Sequence, residues 1–126
     1  MNIGMGVPKP NHKRKKPEPV EQVILQSRKE CWVCGYPNNL DPHHIFGAAN
    51  RTKSERYGLK VWLCETHHNL NVPGDPGVHF NKELMTRLRQ TGQRAFEVIY
   101  GHERFMREFG RNYLDGEEHE TTSGRN

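Results

Sequence analysis

The sequence predicts a small α+β fold: a short two-stranded unit closed by a helix, with one helix before it and further helices after it. Three observations lead there. Hydrophobic residues make up 33% of the 126, and the mean hydropathy is -0.97, so apolar material is scarce for a self-sufficient core. Two pairs of metal-ligand residues share one spacing, Cys31-Trp-Val-Cys34 and Cys64-Glu-Thr-His67, and they flank the segment with strand character. Downstream, Leu84, Leu88, Phe96 and Ile99 recur at helical spacing.

The elements follow in order. Residues 1–18, rich in Gly, Pro, Lys and Arg, read as a flexible basic arm whose run His12-Lys13-Arg14-Lys15-Lys16 can touch phosphates. One domain is expected over 19–115, with a core at about 31–81 and C-terminal helices at about 82–114; 116–126 is a polar tail. Val20, Val23, Ile24 and Ser27 share a helical face, which predicts an N-terminal helix from Val20 to about Lys29. "CWVCGYPNN" is a tight turn, with Gly35 placed where such turns often need a positive φ. Strands are expected around His43–Phe46 and Leu59–Leu63, joined by a polar loop from Gly47 to Arg56. A helix should begin near Glu65 and stop at the loop "NVPGDPG". A long helix from about Lys82 to Ile99 has Gly92 as a weak point, and Phe105, Phe109 and Tyr113 support another after Gly101.

The bulk numbers narrow the function classes. A net charge of +4 and a pI near 9.1 favour a polyanionic partner. Three cysteines are an odd count, unlike a secreted disulfide framework. No apolar run approaches the roughly 18 residues a bilayer span needs, and no apolar segment follows the N-terminal charges as in a secretory signal. The expectation is no membrane partner and a reducing intracellular compartment.

Cys31, Cys34, Cys64 and His67 supply three sulfurs and one nitrogen, a normal closed set for a structural zinc ion. His68 competes with His67 for the fourth place; the repeated spacer favours His67. The plainer alternative is a redox pair or free thiols at Cys31 and Cys34, with Cys64 as a core cysteine. If His67 binds zinc, His68 lies about 100° further round the helix and can face the strands. Neighbouring strand residues point to opposite faces, so His43 and His44 are expected in different roles. One can bind a metal while the other addresses a water beside it.

Taken together, Cys31-x-x-Cys34, Asp41-Pro-His43-His44-Ile45 and Val61-Trp-Leu63-Cys64-x-x-His67-His68-Asn69 resemble the HNH endonucleases of the ββα-metal type. The resemblance covers roughly Cys31 to Asn81, and the flanking helices are similar to additions in compact phage-type members. It implies a metal-dependent DNA endonuclease or nickase in the cytoplasm of a bacterial or phage-infected cell. His44 matches the general base that activates water. His43 and His68 match ligands of a catalytic divalent ion, Mg²⁺ or a transition metal, and Cys31, Cys34, Cys64 and His67 match the structural zinc positions. The sequence departs from the family twice. No asparagine precedes the second strand in "RYGLKV", and Asn50 lies at the wrong spacing to replace it. The position of the third ion ligand, near Val72, is not a ligand type; His79 or Asp41 are the candidates for it.

Arg51, Lys53 and Arg56 are candidates for holding DNA phosphates, or else belong to a solvated loop. The main rival is a zinc-stabilised nucleic-acid-binding module without catalysis. A second rival is a scaffold that recruits other proteins through the helices after Asn81.

Overall fold

The computed structural model describes residues 20–114; the expected arm at 1–18 and the tail at 116–126 lie outside the described residues. The fold mixes helix and strand and is small. Strand β1 (Leu40–His44) is followed by a 3₁₀ turn (Ala48–Asn50), helix α1 (Arg51–Tyr57), strand β2 (Lys60–Cys64) and the single turn α2 (Glu65–His68). A two-residue hairpin, β3 (Asn71–Val72) and β4 (Asp75–Pro76), leads through a 3₁₀ turn (Val78–Phe80) into α3 (Lys82–Tyr100) and α4 (His102–Phe109). Among the described residues no helix is long and apolar enough to cross a membrane.

β1 and β2 pair antiparallel, with Pro42 opposite Trp62, His43 opposite Val61 and His44 opposite Lys60. The Trp62 amide faces away from β1: its N–H donates to Gln26 Oε1 at 2.8 Å, and its carbonyl accepts from Trp32 N at 2.8 Å. Pro42, opposite it, therefore deprives the ladder of no donor. The strand begins three residues before the expected His43 and ends at His44. Ile45 and Phe46 continue into the core, 1% and 2% exposed.

Two expected elements are corrected. The segment from Val20 to Lys29 is not helical. It runs along the outer side of β2, with Val23 N donating to Tyr57 O at 2.8 Å and Gln26 bonded to Trp62. Of the expected apolar face only Val23 is buried, and Ile24 is 75% exposed. Valine and isoleucine have modest helix propensity, and the free edge of a two-stranded sheet offers partners that an isolated helix turn does not. Conversely, the expected polar loop from Gly47 to Arg56 contains α1. Its buried face is Ser54 and Tyr57, and Gly58 closes it in the left-handed region at φ 79°. The buried serine hid this face from a hydrophobicity pattern. Ser54 Oγ accepts from Phe46 N at 3.0 Å and donates to Phe46 O at 2.8 Å, clipping α1 to the chain just beyond β1.

The long helix matches its expected span closely. Asn81 caps it through Oδ1, which accepts from Leu84 N at 3.1 Å. Gly92, expected as a weak point, lies against the core: a Cβ there would sit 3.3 Å from Ile45 and Phe46. Phe46, Tyr57, Phe96, Phe105 and Phe109 form an aromatic core, with neighbouring ring centroids such as Phe46–Phe109 and Phe105–Phe109 at 4.8 Å. Gln93, fully buried, donates to Glu97 and Asn112 at 2.8 Å and accepts from Tyr113 N at 2.7 Å, so the chain after α4 is tied to α3.

Candidate metal centres

The knuckle "CWVCG" and the β2–α2 junction bring Cys31, Cys34, Cys64 and His67 together, with their ligand atoms all within 4.8 Å of one another. Cys34 and Cys64 sulfurs are 3.8 Å apart, and His67 Nδ1 lies 3.8 Å from the Cys31 sulfur and 3.3 Å from that of Cys64. Zinc–sulfur bonds of about 2.3 Å in a tetrahedron give sulfur–sulfur edges of about 3.8 Å. The cluster therefore has the size a zinc ion requires. The turn depends on Gly35, whose φ is +81°. All three cysteines are free of disulfides. Burial raises the Cys31 thiol, yet backbone N–H groups of Cys64, Cys34 and Val33 outweigh it and bring the pKa down to about 7. Cys34 is pushed up to about 11, first by desolvation and then by the nearby sulfurs of Cys31 and Cys64. Such crowding of sulfurs is what a cation relieves.

Asp75 completes this centre from the β3–β4 hairpin. Its carboxylate oxygens lie 2.9 and 3.0 Å from His67 Nε2, which donates to them and leaves Nδ1 turned to the sulfurs. The sequence reading saw only a loop at "NVPGDPG", and Asp75 was missed.

A second cluster lies one residue further along. His43, His68 and His79 offer ligand atoms within 4.8 Å of one another. Their ring centroids are 5.4 Å apart for His43–His68, 5.6 Å for His43–His79 and 5.1 Å for His68–His79. His79 reaches this point because Gly77 lets its turn lie against α2, with Gly77 N donating to Leu70 O at 2.7 Å. Asp41 is not a member of the cluster. Its Oδ2 lies 3.3 Å from His68 Nδ1, which leaves Nε2 of His68 as the ligand atom. His43 is 6% exposed, and its Nε2 is buried without a hydrogen-bond partner among the described residues. An orphaned buried imidazole nitrogen among two other imidazoles fits a cation with nitrogen ligands. Burial, followed by the charges of His68, His79, His44 and Arg89, lowers the His43 pKa to about 4. Burial and then His68 lower that of His79. Both rings are neutral at pH 7, with lone pairs to offer.

A cavity of about 380 Å³ is bordered by these three histidines, by His44 and by Arg51 and Arg89. His44, the last residue of β1, places Nε2 2.8 Å from Glu55 Oε1 on α1. Lys60 holds the same carboxylate, its Nζ 3.1 Å from Oε1 and 3.0 Å from Oε2. His44 and Lys60 together keep the Glu55 carboxyl below the usual range. Asn50 makes no side-chain cap of α1. Of the three basic residues expected at phosphates, only Arg51 borders the cavity. Lys53 is 3.8 Å from Glu108 Oε1 and ties α1 to α4, and Arg56 lies over the Tyr57 ring at 5.5 Å. Arg89, missed in the sequence reading, projects from α3; its Nε is buried and finds no hydrogen-bond partner among the described residues.

No family model matches this chain, and neither a curated protein nor a solved structure does. What stands is a small α+β chain with a Cys₃His cluster able to hold a metal ion such as zinc, and a three-histidine cluster beside it.

Proposed function

We propose that this chain is an HNH-type, metal-dependent endonuclease that hydrolyses DNA phosphodiester bonds. One observation carries the reading: His43, His68 and His79 converge on one point, and His44 borders the same cavity. The first three would hold a divalent ion. A divalent ion bound there supplies a Lewis acid that offsets the charge growing on the leaving oxygen. A histidine-rich site admits Mn²⁺, Ni²⁺ or Zn²⁺ as well as Mg²⁺.

His44 is the general base. A neutral imidazole takes the proton of the attacking water at one ring nitrogen, on the side of the phosphorus opposite the leaving 3′ oxygen. Attack there breaks the bond to the 3′ oxygen, which takes a proton from solvent water, and leaves a 5′-phosphate and a 3′-hydroxyl. Arg51 and Arg89 border the cavity with cationic forks suited to phosphate oxygens. Cys31, Cys34, Cys64 and His67 act as the scaffold, since their zinc would tie the ends of a two-stranded unit that is marginal alone. The positive charge of the chain favours a polyanionic substrate.

The test is supercoiled plasmid incubated with the zinc-loaded protein and added Mg²⁺, Mn²⁺ or Ni²⁺. Nicked or linear product that disappears in His44→Ala is the expected result. Binding of plasmid without cleavage under every ion would leave the non-catalytic nucleic-acid-binding module in its place.

A further inference from the structure

We propose that Glu55 is a positioning residue for the base: it accepts the Nε2–H of His44, selects that tautomer, and leaves the Nδ1 lone pair free to take a proton. The inference rests on the endonuclease reading, and it names how that site is kept ready. A neutral imidazole carries a hydrogen on one nitrogen only, and an ionised carboxylate can only accept. With Nε2 and Oε1 2.8 Å apart, the hydrogen belongs between them. The nitrogen left for water is then Nδ1. A carboxylate behind a catalytic histidine does the same in unrelated hydrolases, fixing ring orientation and tautomer without itself taking the proton.

The surroundings are built to hold the carboxylate in place. Lys60 lies opposite His44 in the strand register and grips both Glu55 oxygens, so acid and base are anchored from two elements. Ser54, next to Glu55, is fully buried and bonded both ways to Phe46, two residues past His44. The backbone on both sides of the pair is thereby clamped. The plainer account is an ordinary surface ion pair. Glu55 has 57% of its side chain exposed, where such pairs add little stability, so the fold does not require it. Replacing it should leave the protein folded, which makes the two accounts separable.

Two measurements on the full zinc-loaded chain decide it. Nitrogen NMR of the histidine rings, assigned with His44→Ala, should show His44 as the Nε2–H tautomer, and Glu55→Ala should mix the two tautomers. In plasmid cleavage, Glu55→Ala should lower kcat by about 10²-fold, the upper range for groups that orient a site histidine, with KM and zinc content unchanged. Glu55→Gln keeps an acceptor oxygen and should restore most of the rate, while Lys60→Met should fall between. A Glu55→Ala rate within about twofold of wild type, in a protein that His44→Ala inactivates, overturns the inference and spares the nuclease. An Nδ1–H tautomer in wild type also overturns it. Absence of cleavage by wild type with every ion removes the nuclease reading itself, and the tautomer experiment still reports whether Glu55 governs the His44 ring.

Discussion

Asp75 grips His67 with both carboxylate oxygens, at 2.9 and 3.0 Å from Nε2, from a hairpin that contains little else. The contact fixes which nitrogen faces the cysteines. Asp75→Ala should therefore weaken zinc binding by about 10- to 100-fold without unfolding the metal-loaded protein. Competition with a chromophoric chelator measures this directly. An affinity equal to wild type would mean that the sulfurs alone orient the ring.

His43 gives the metal-free second centre a pH signature. Its folded pKa of about 4 lies below the ordinary 6.5, so the unfolded chain binds the proton more readily. Stability then rises with pH in this window. It is full above about 6.5 and falls as pH drops toward about 4. Melting temperatures between pH 7 and 5 should decline less steeply in His43→Phe than in wild type. Equal slopes would place the acid sensitivity elsewhere.

Arg89 brings to the histidine cavity a buried Nε that has no hydrogen-bond partner among the described residues. On the endonuclease reading its fork meets a phosphate. Arg89→Gln should weaken binding of a short DNA duplex by about tenfold, a modest value for a hydrogen bond to a charged group. The binding is measured in the His44→Ala background to avoid cleavage. Arg89→Lys should recover only part of it, because a point charge does not replace the fork. Unchanged affinity and salt dependence would reduce Arg89 to a packing partner of Tyr113, whose ring lies 5.5 Å from the guanidinium.

Gly77 has no room for a side chain. A Cβ would lie 2.8 Å from Thr66 O and 2.9 Å from Leu70 O, both backbone atoms that cannot swing aside. Gly77→Ala should cost about 1–3 kcal/mol by urea unfolding, as overpacked sites do. It should also loosen cobalt binding at the three histidines, read from the visible spectrum, because His79 is carried by the displaced turn.

The parts written in local spacing were legible. The two C-x-x-[Cys/His] pairs announced the cluster that the fold assembles, and the separation of His67 from His68 followed from helix geometry. The span of α3 was readable from its apolar period; the Asn81 cap that starts it came only with the fold. What escaped depends on tertiary contacts. The segment at 20–29 has a helical pattern, but Gln26 and Val23 find their partners in Trp62 and Tyr57, far along the chain. α1 was hidden because its buried face includes a serine that bonds backbone. Glu55, Arg89 and Asp75 carry no motif of their own, and each gains its position only when α1, α3 and the hairpin are packed.

His67 and His68 are consecutive, and one turn of helix presents them to different clusters. If the Cys₃His cluster holds zinc, a chain that has not yet captured the ion lacks the support that orients that turn. On the endonuclease reading, a freshly made polypeptide is harmless to the genome around it until it is metallated, and starvation for zinc silences it before any change at the cleavage centre itself.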